Sequence, residues 1–289
     1  VWDLDRAIAF YQGATGFKLV SRETISGSKT ADRLFGRNNI ALEVAVLRAP
    51  NWLLELTAFK HNATIAAKDM PVIGPGMSHT CYQSPVSDPG YVKFAKQGAR
   101  VINRAQKPVY SPYYGVSYVY ARDPDGNVFE LEQLKVAVLE EAGYPGAWQR
   151  DGQTMWMSQV SLFTHDRDRL MAFYEKILAI KPNRVAEIPP GAFGDNLFDI
   201  ENAHVKIGWF RLNHKSKMME ILQFINPKTP QATVPKFPSD LGYSFSLEVS
   251  DIQEEYSRLE KLGVAFFCEP QKFGHYWQVF ARDIDGNIF

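Results

Sequence analysis

Residues Asp166 to Tyr174 (Asp-Arg-Asp-Arg-Leu-Met-Ala-Phe-Tyr) restate Asp3 to Tyr11 (Asp-Leu-Asp-Arg-Ala-Ile-Ala-Phe-Tyr) at an offset of 163. Glu220 follows Glu55, and Gly263 follows Gly98, at an offset of 165. Near the end, Ala281-Arg-Asp-Ile-Asp-Gly-Asn-Ile-Phe289 restates Ala121-Arg-Asp-Pro-Asp-Gly-Asn-Val-Phe129 at 160. Self-similarity at so steady a spacing, over the whole length, marks a tandem duplication. Whatever the first half folds into, the second half must fold into as well.

Each half is itself double. Asp3 and Asp5 lead into apolar residues at helical spacing (Ile8, Tyr11) and Gly16 closes the run, the pattern of a capped amphipathic helix. Residues 40–47 and 52–59 read as strands, the second with Leu53, Glu55 and Thr57 on one face. After the Pro/Gly-rich connection 71–76 a strand is expected over 77–83, then a helix over about 90–97 ended by Gly98, then a Tyr-rich strand region over 110–120. The Asp-Pro-Asp-Gly-Asn turn follows and feeds a strand carrying Glu130. Gly143-Tyr-Pro-Gly146 and Asp151-Gly152 mark a linker over 135–154, which divides the chain into 1–134 and 155–289. Val1 stands where Met would, and Phe289 falls inside a strand pattern, so both ends are expected to be trimmed.

Composition limits the function classes. With 32 basic and 32 acidic residues the formal net charge is zero, which removes a broad electrostatic argument for nucleic acid or an anionic membrane. No apolar run is long enough to span a bilayer. Two cysteines among 289 residues argue against a disulfide framework and for a reducing, cytoplasmic setting. A small-molecule enzyme or binder, monomeric or homodimeric, is the expected class.

Four βαβββ units in two pairs, with the D-x-D-R-x-x-x-F-Y helix and the D-P-D-G-N-x-x-E hairpin, resemble the vicinal oxygen chelate superfamily of glyoxalases, bleomycin resistance proteins and extradiol dioxygenases. The resemblance implies an α+β fold: four βαβββ modules in tandem, paired into two cup-shaped mixed sheets with the helices outside. It also implies one divalent metal ion (Fe2+, Mn2+, Ni2+, Co2+ or Zn2+) inside a cup, held from the first and last strand of each of two units. Carried onto the first pair of units, those positions are Glu55, His79 and Glu130, with a fourth, His or Gln, expected upstream of Val1. In the second pair they are Gln159, Glu220 and Ser244, and because serine is a poor ligand this second site is expected to be degenerate.

One imidazole and two carboxylates suit a borderline divalent ion. An ion with an open position could bind two vicinal oxygens of a substrate and stabilise the charge that builds there, with Glu130 or Glu55 moving the proton. The resemblance thus implies lyase or isomerase chemistry on a small oxygen-bearing molecule. Two alternatives stand beside it: an Fe(II) extradiol dioxygenase, and a non-catalytic small-molecule-binding protein. Tyr113, Tyr114 and Tyr120 are candidates for an aromatic wall that orients the substrate, or else merely cover the sheet. Glu132 is expected to be solvated and Cys81 to be packing.

Overall fold

The computed structural model describes residues 1–60, 69–111, 115–135, 137, 155–213, 218–232, 236–240, 242–274 and 276–289. Tyr113, Tyr114 and nearly all of the expected linker at 135–154 lie outside the described residues. The first unit comprises α1 (Leu4–Thr15), β1 (Lys18–Ser26), α2 (Lys29–Phe35), β2 (Ala41–Arg48) and β3 (Leu53–Phe59). The second runs β4 (Gly76–Pro85), α3 (Gly90–Lys96), β5 (Arg100–Val101), β6 (Val109–Ser111), β7 (Val116–Arg122) and β8 (Val128–Leu134). The third runs β9 (Trp156–Phe163), α4 (Arg167–Leu178), β10 (Arg184–Ile188), α5 (Ala192–Phe198), β11 (His204–Arg211) and β12 (Met218–Asn226). The fourth contributes α6 (Ile252–Lys261) and the short strands β13 (Ala265–Phe266), β14 (Gln271–Phe273), β15 (Tyr276–Gln278) and β16 (Ala281–Arg282). The mixed α+β fold of repeated units is as the sequence implies. Among the described residues no helix is long and apolar enough to cross a membrane.

The repeated helix signature acts at two levels. Locally, the Asp3 side chain accepts the Arg6 N–H at 2.9 Å and caps α1, while Gly16 takes the left-handed conformation (φ 73°) that ends it. Asp166 caps α4 in the same way. At longer range, the arginine and tyrosine of the signature reach the turn of the following unit. Arg6 pairs with Asp125 and Tyr11 donates to Asp123 Oδ2 at 2.9 Å. In the second half Arg169 pairs with Asp285 and Tyr174 donates to Asp283 Oδ2 at 2.8 Å. The turn aspartates are themselves buried: Asp123 accepts from the backbone of Asp125 and Asn127 and from the Asn127 amide, each at 2.9 Å. The two motifs are two halves of one clasp, joining unit one to unit two and unit three to unit four. Aromatic packing continues it, with Phe94 between Phe10 (centroids 5.6 Å apart) and Phe129 (4.6 Å).

Sheet pairing follows a different grouping. The first unit forms a separate three-stranded sheet, β1-β2-β3. The second and third units share one nine-stranded sheet of order β10-β11-β12-β9-β4-β8-β7-β5, with β6 against β7. At its centre β4 lies antiparallel to β9, flanked by β8 parallel to β4 and by β12 parallel to β9. The sequence reading placed units one and two in one cup and three and four in the other; the described strands instead build the cup from units two and three. The reason is that the first strand of a unit pairs on one edge with the unit's own last strand and leaves the other edge for any sister unit. β4 and β9 fill each other's edge. Residues 243–249, the expected first strand of unit four, form no ladder.

Candidate metal centre

On the central strands the alternation of side chains sorts apolar residues to the helices and polar ones into the cup. Tyr82, Phe129, Leu131, Val160, Leu162, Met219 and Ile221 face the helix-side cores. Four cup-facing side chains meet at the centre: His79 on β4, Glu130 on β8, Gln159 on β9 and Glu220 on β12, all at least nine-tenths buried. The Gln159 amide nitrogen lies 3.0 Å from Glu130 Oε2 and 3.0 Å from Glu220 Oε2. His79 Nε2 is 3.5 Å and 3.4 Å from the same two oxygens. His79, Glu130 and Glu220 bring their ligand atoms within 4.8 Å of one another. First and last strand of each of two units supply the four, as the resemblance implies.

Two bulges in the β4–β9 ladder set this alignment. Register shifts occur between Met77 and His79 and between Cys81 and Tyr82. In the first, Ser78 is the extra residue, and its hydroxyl sits 2.7 Å from His79 Nδ1 and 3.4 Å from the Ser161 carbonyl. A bond from Nδ1–H to Ser78, passed on to that carbonyl, leaves Nε2 as the bare end of the ring, the tautomer a cation requires. In the second, Ser158 is extra, so Ser158 and Gln159 both stand on the cup side. Ser161 then donates to Glu220 Oε2 at 2.7 Å.

Electrostatics follow from this crowding. Burial alone would lower the pKa of His79, but the Glu130 and Glu220 carboxylates outweigh it and hold the ring up at about 9. Glu132, expected to be solvated, lies half-buried in the cup, and burial, reinforced by Glu130, pushes its carboxyl up to about 8. Burial and the nearby carboxylates likewise push the Cys81 thiol and the Tyr120 phenol well up. Tyr120, the candidate tyrosine among the described residues, meets the His79 ring edge-on with centroids 5.1 Å apart.

In metal-free protein these two shifts have the same consequence for stability. His79 and Glu132 both bind a proton more tightly folded than unfolded, so stability falls as pH rises. The Glu132 contribution is complete below about 4.5 and lost through about 8; that of His79 is complete below 6.5 and lost through about 9. The His79 part amounts to something on the order of 3 kcal/mol. Urea unfolding of chelator-treated protein at pH 6 and pH 9.5 measures the two contributions together, and His79→Gln is expected to make the fall between those pH values smaller. A wild-type profile already flat between those pH values would contradict the charge arrangement.

Two residues assigned to the site from sequence, Glu55 and Ser244, are elsewhere. Glu55 belongs to β3 in the separate sheet, where its side chain is open to solvent but surrounded by enough protein to raise its pKa by burial. It takes no part in the His79 cluster. Ser244 is exposed, and Tyr114, with Tyr113, falls outside the described residues. Gln159 and Glu220, which the sequence placed in a degenerate second site, complete the first one. The signal that could have placed them is in their strands: both are the unit-three equivalents of His79 and Glu130. His204, read as a surface residue, pairs with Glu187 away from the cup.

Residues 1–131 match the model of the Glyoxalase/Bleomycin resistance protein/Dioxygenase superfamily. A lactoylglutathione lyase from rice, Oryza sativa subsp. japonica, is 28% identical over 193 residues, which cover 65% of this chain and 54% of that protein. The chain therefore spans about half the length of the curated relatives it matches. Among solved structures, glyoxalase I from Zea mays superposes with a TM-score of 0.59 at 18% identity, covering 100% of this chain and 87% of that one. A putative dioxygenase from Bacillus subtilis does so with a TM-score of 0.59 at 13% identity, covering 100% and 81%. At such identities these structures speak to fold alone. The family match covers residues 1–131, and the whole chain shares the fold of these structures and repeats the same βαβββ units.

Proposed function

We propose that this protein is a metal-dependent lyase or isomerase of the glyoxalase type, with His79, Glu130, Gln159 and Glu220 holding one divalent ion. The observation that carries the reading is the buried convergence of His79 Nε2 with Glu130 Oε2 and Glu220 Oε2, 3.5 and 3.4 Å away, beside the Gln159 amide. Two carboxylates buried side by side are costly without compensation, so the arrangement calls for a positive charge between them. A cation supplies one. It would take the Nε2 lone pair, draw in both carboxylates, and accept the Gln159 carbonyl oxygen once that amide turns over. One imidazole, one amide and two carboxylates form a hard-to-borderline donor set.

When bound, such an ion polarises neighbouring substrate oxygens and stabilises the negative charge that develops on them. The chain's own residues do the rest. Glu130 and Glu220 flank the centre and are placed to take up and return a proton. Ser161 holds Glu220 Oε2, and Ser78 fixes the ring of His79. Tyr120, Phe163 and Trp209 are buried apolar walls that keep water from the centre. Ser78→Ala is expected to weaken divalent-metal affinity by about 10–100-fold while leaving the fold intact, as read by isothermal titration.

The cluster holds a single imidazole, which favours the lyase or isomerase reading over an extradiol dioxygenase, whose iron takes two histidines and one carboxylate. The relatives' printed activity gives the first compound to test. Lactoylglutathione carries a hydroxyl oxygen next to a thioester carbonyl oxygen, two vicinal oxygens of the kind this centre would bind. Metal-loaded protein is expected to turn over lactoylglutathione or a related 2-hydroxyacyl thioester, and chelation to abolish the turnover. Activity that persists in full after chelation would sink the metal-dependent reading, and oxygen uptake with catechols in the presence of Fe(II) would replace it with the dioxygenase.

A further inference from the structure

Gln159 reaches the cup through a bulge, and the residue that grips the strand at that bulge comes from unit one, which supplies none of the four side chains of the centre. Met157 and Gln159 stand two apart on β9 and would share a face in a regular strand. Met157 instead packs into the helix-side core with Tyr82 and Phe129, while the Gln159 amide lies in the cup between Glu130 and Glu220. The bulge makes the switch: Cys81 is the register partner of Gln159 and Tyr82 that of Met157, so Ser158 has no counterpart on β4. On the other edge of β9 the ladder with β12 starts at Gln159, paired with Met218. Two residues earlier, the Met157 backbone is taken by Asn51. Asn51 Nδ2 donates to the Met157 carbonyl at 2.6 Å, and its Oδ1 accepts the Met157 N–H at 3.2 Å. The N–H and C=O of one extended residue point to the same edge, so the amide takes both, as the peptides of a neighbouring strand would.

We propose that Asn51 is a positioning residue of the metal centre: by gripping the Met157 backbone it fixes the bulge at Ser158 and so turns Gln159 into the cup. Its own frame is stiff. Asn51 sits in the loop Ala49-Pro50-Asn51-Trp52 between β2 and β3, closed by the Ala49 N–H on the Trp52 carbonyl at 2.9 Å, and Pro50 before it has a fixed φ. Trp52 packs against both helix-side cores, the one built mainly from units one and two and the one built mainly from units three and four. The loop is thus wedged where the two halves meet. Without the grip, β9 can regularise by losing its bulge. A one-residue slip exchanges the faces of a strand, which takes the Gln159 amide away from Glu130 and Glu220. The grip is not part of the duplicated scaffold. At the offset of 165 that relates Glu220 to Glu55, Asn51 and Trp52 correspond to Ser216 and Lys217. A contact required only for the fold of a unit would stand in both copies.

The proposal rests on Gln159 belonging to the centre, and its test reads the two separately. In chelator-treated protein labelled with heavy nitrogen at the glutamine side chains, the amide resonance of Gln159 is identified by its absence in Gln159→Glu. Asn51→Ala is expected to shift or broaden that resonance. Distant glutamines such as Gln223, which donates to the His165 carbonyl, should stay in place and report an intact fold. Titration with cobalt(II) is expected to show affinity weakened by about 10-fold or more. Asn51→Asp separates this from a loss of volume: it keeps an acceptor for the Met157 N–H, sets an oxygen against the Met157 carbonyl, and should give the same two effects. A Gln159 resonance unmoved in both variants overturns the proposal, whether or not the protein binds cobalt. Wild-type cobalt affinity in both variants overturns it too. A wild type that binds no cobalt overturns the reading of the centre instead, and the resonance alone then decides whether Asn51 places Gln159.

Discussion

Glu220→Gln is expected to remove the divalent ion and to lower turnover by about 10²–10³-fold, the usual cost of deleting one group that stabilises developing charge. Glu55→Gln is expected to change neither. The contrast matters because position alone makes the two glutamates equivalent: each lies in the last strand of its unit, 165 residues apart. Their surroundings separate them. Glu220 Oε2 is buried, takes hydrogen bonds from Ser161 and Gln159, and faces His79. Glu55 has Thr57 as its hydrogen-bond partner and faces solvent. Metal content after gel filtration, with the rate on a 2-hydroxyacyl thioester, reads both variants. Equal losses in the two would mean that the cup between units two and three is not the centre.

Asp123→Ala is expected to be the most destabilising single change outside the site, by about 3–5 kcal/mol. Asp123 is buried and accepts from two backbone amides, the Asn127 side chain and the Tyr11 hydroxyl. Truncation orphans all four donors at once and releases α1 from the turn of the next unit. Tyr11→Phe removes one of those bonds and should cost about 1 kcal/mol. Urea unfolding of both variants gives the comparison. Two similar small losses would show that the turn is held by its own backbone and not by this carboxylate.

These two cases also mark what the sequence made legible. The capped helix, the Asp-Pro-Asp-Gly-Asn turn and the repeat of units could all be read, because capping residues, glycine at φ 87° and duplication leave local signatures. The side chains of the centre, His79, Glu130, Gln159 and Glu220, could be named as well, since their places on first and last strands follow from counting. Their grouping could not. Periodicity fixes which face a residue takes, but not which sister unit completes the edge of its sheet, and the β4–β9 pairing decided that. The bulges at Ser78 and Ser158 were equally hidden, because an extra residue in a ladder shows only against its partner strand. For the same reason Glu132 looked like a solvated residue until the third unit closed over it.

The most direct test of the account is the position of a bound ion. Anomalous diffraction from crystals of the cobalt-loaded protein should show a peak about 2.0–2.2 Å from His79 Nε2, a Gln159 oxygen and the carboxylates of Glu130 and Glu220. A peak at Glu55, or none at these four residues under excess cobalt, would contradict it.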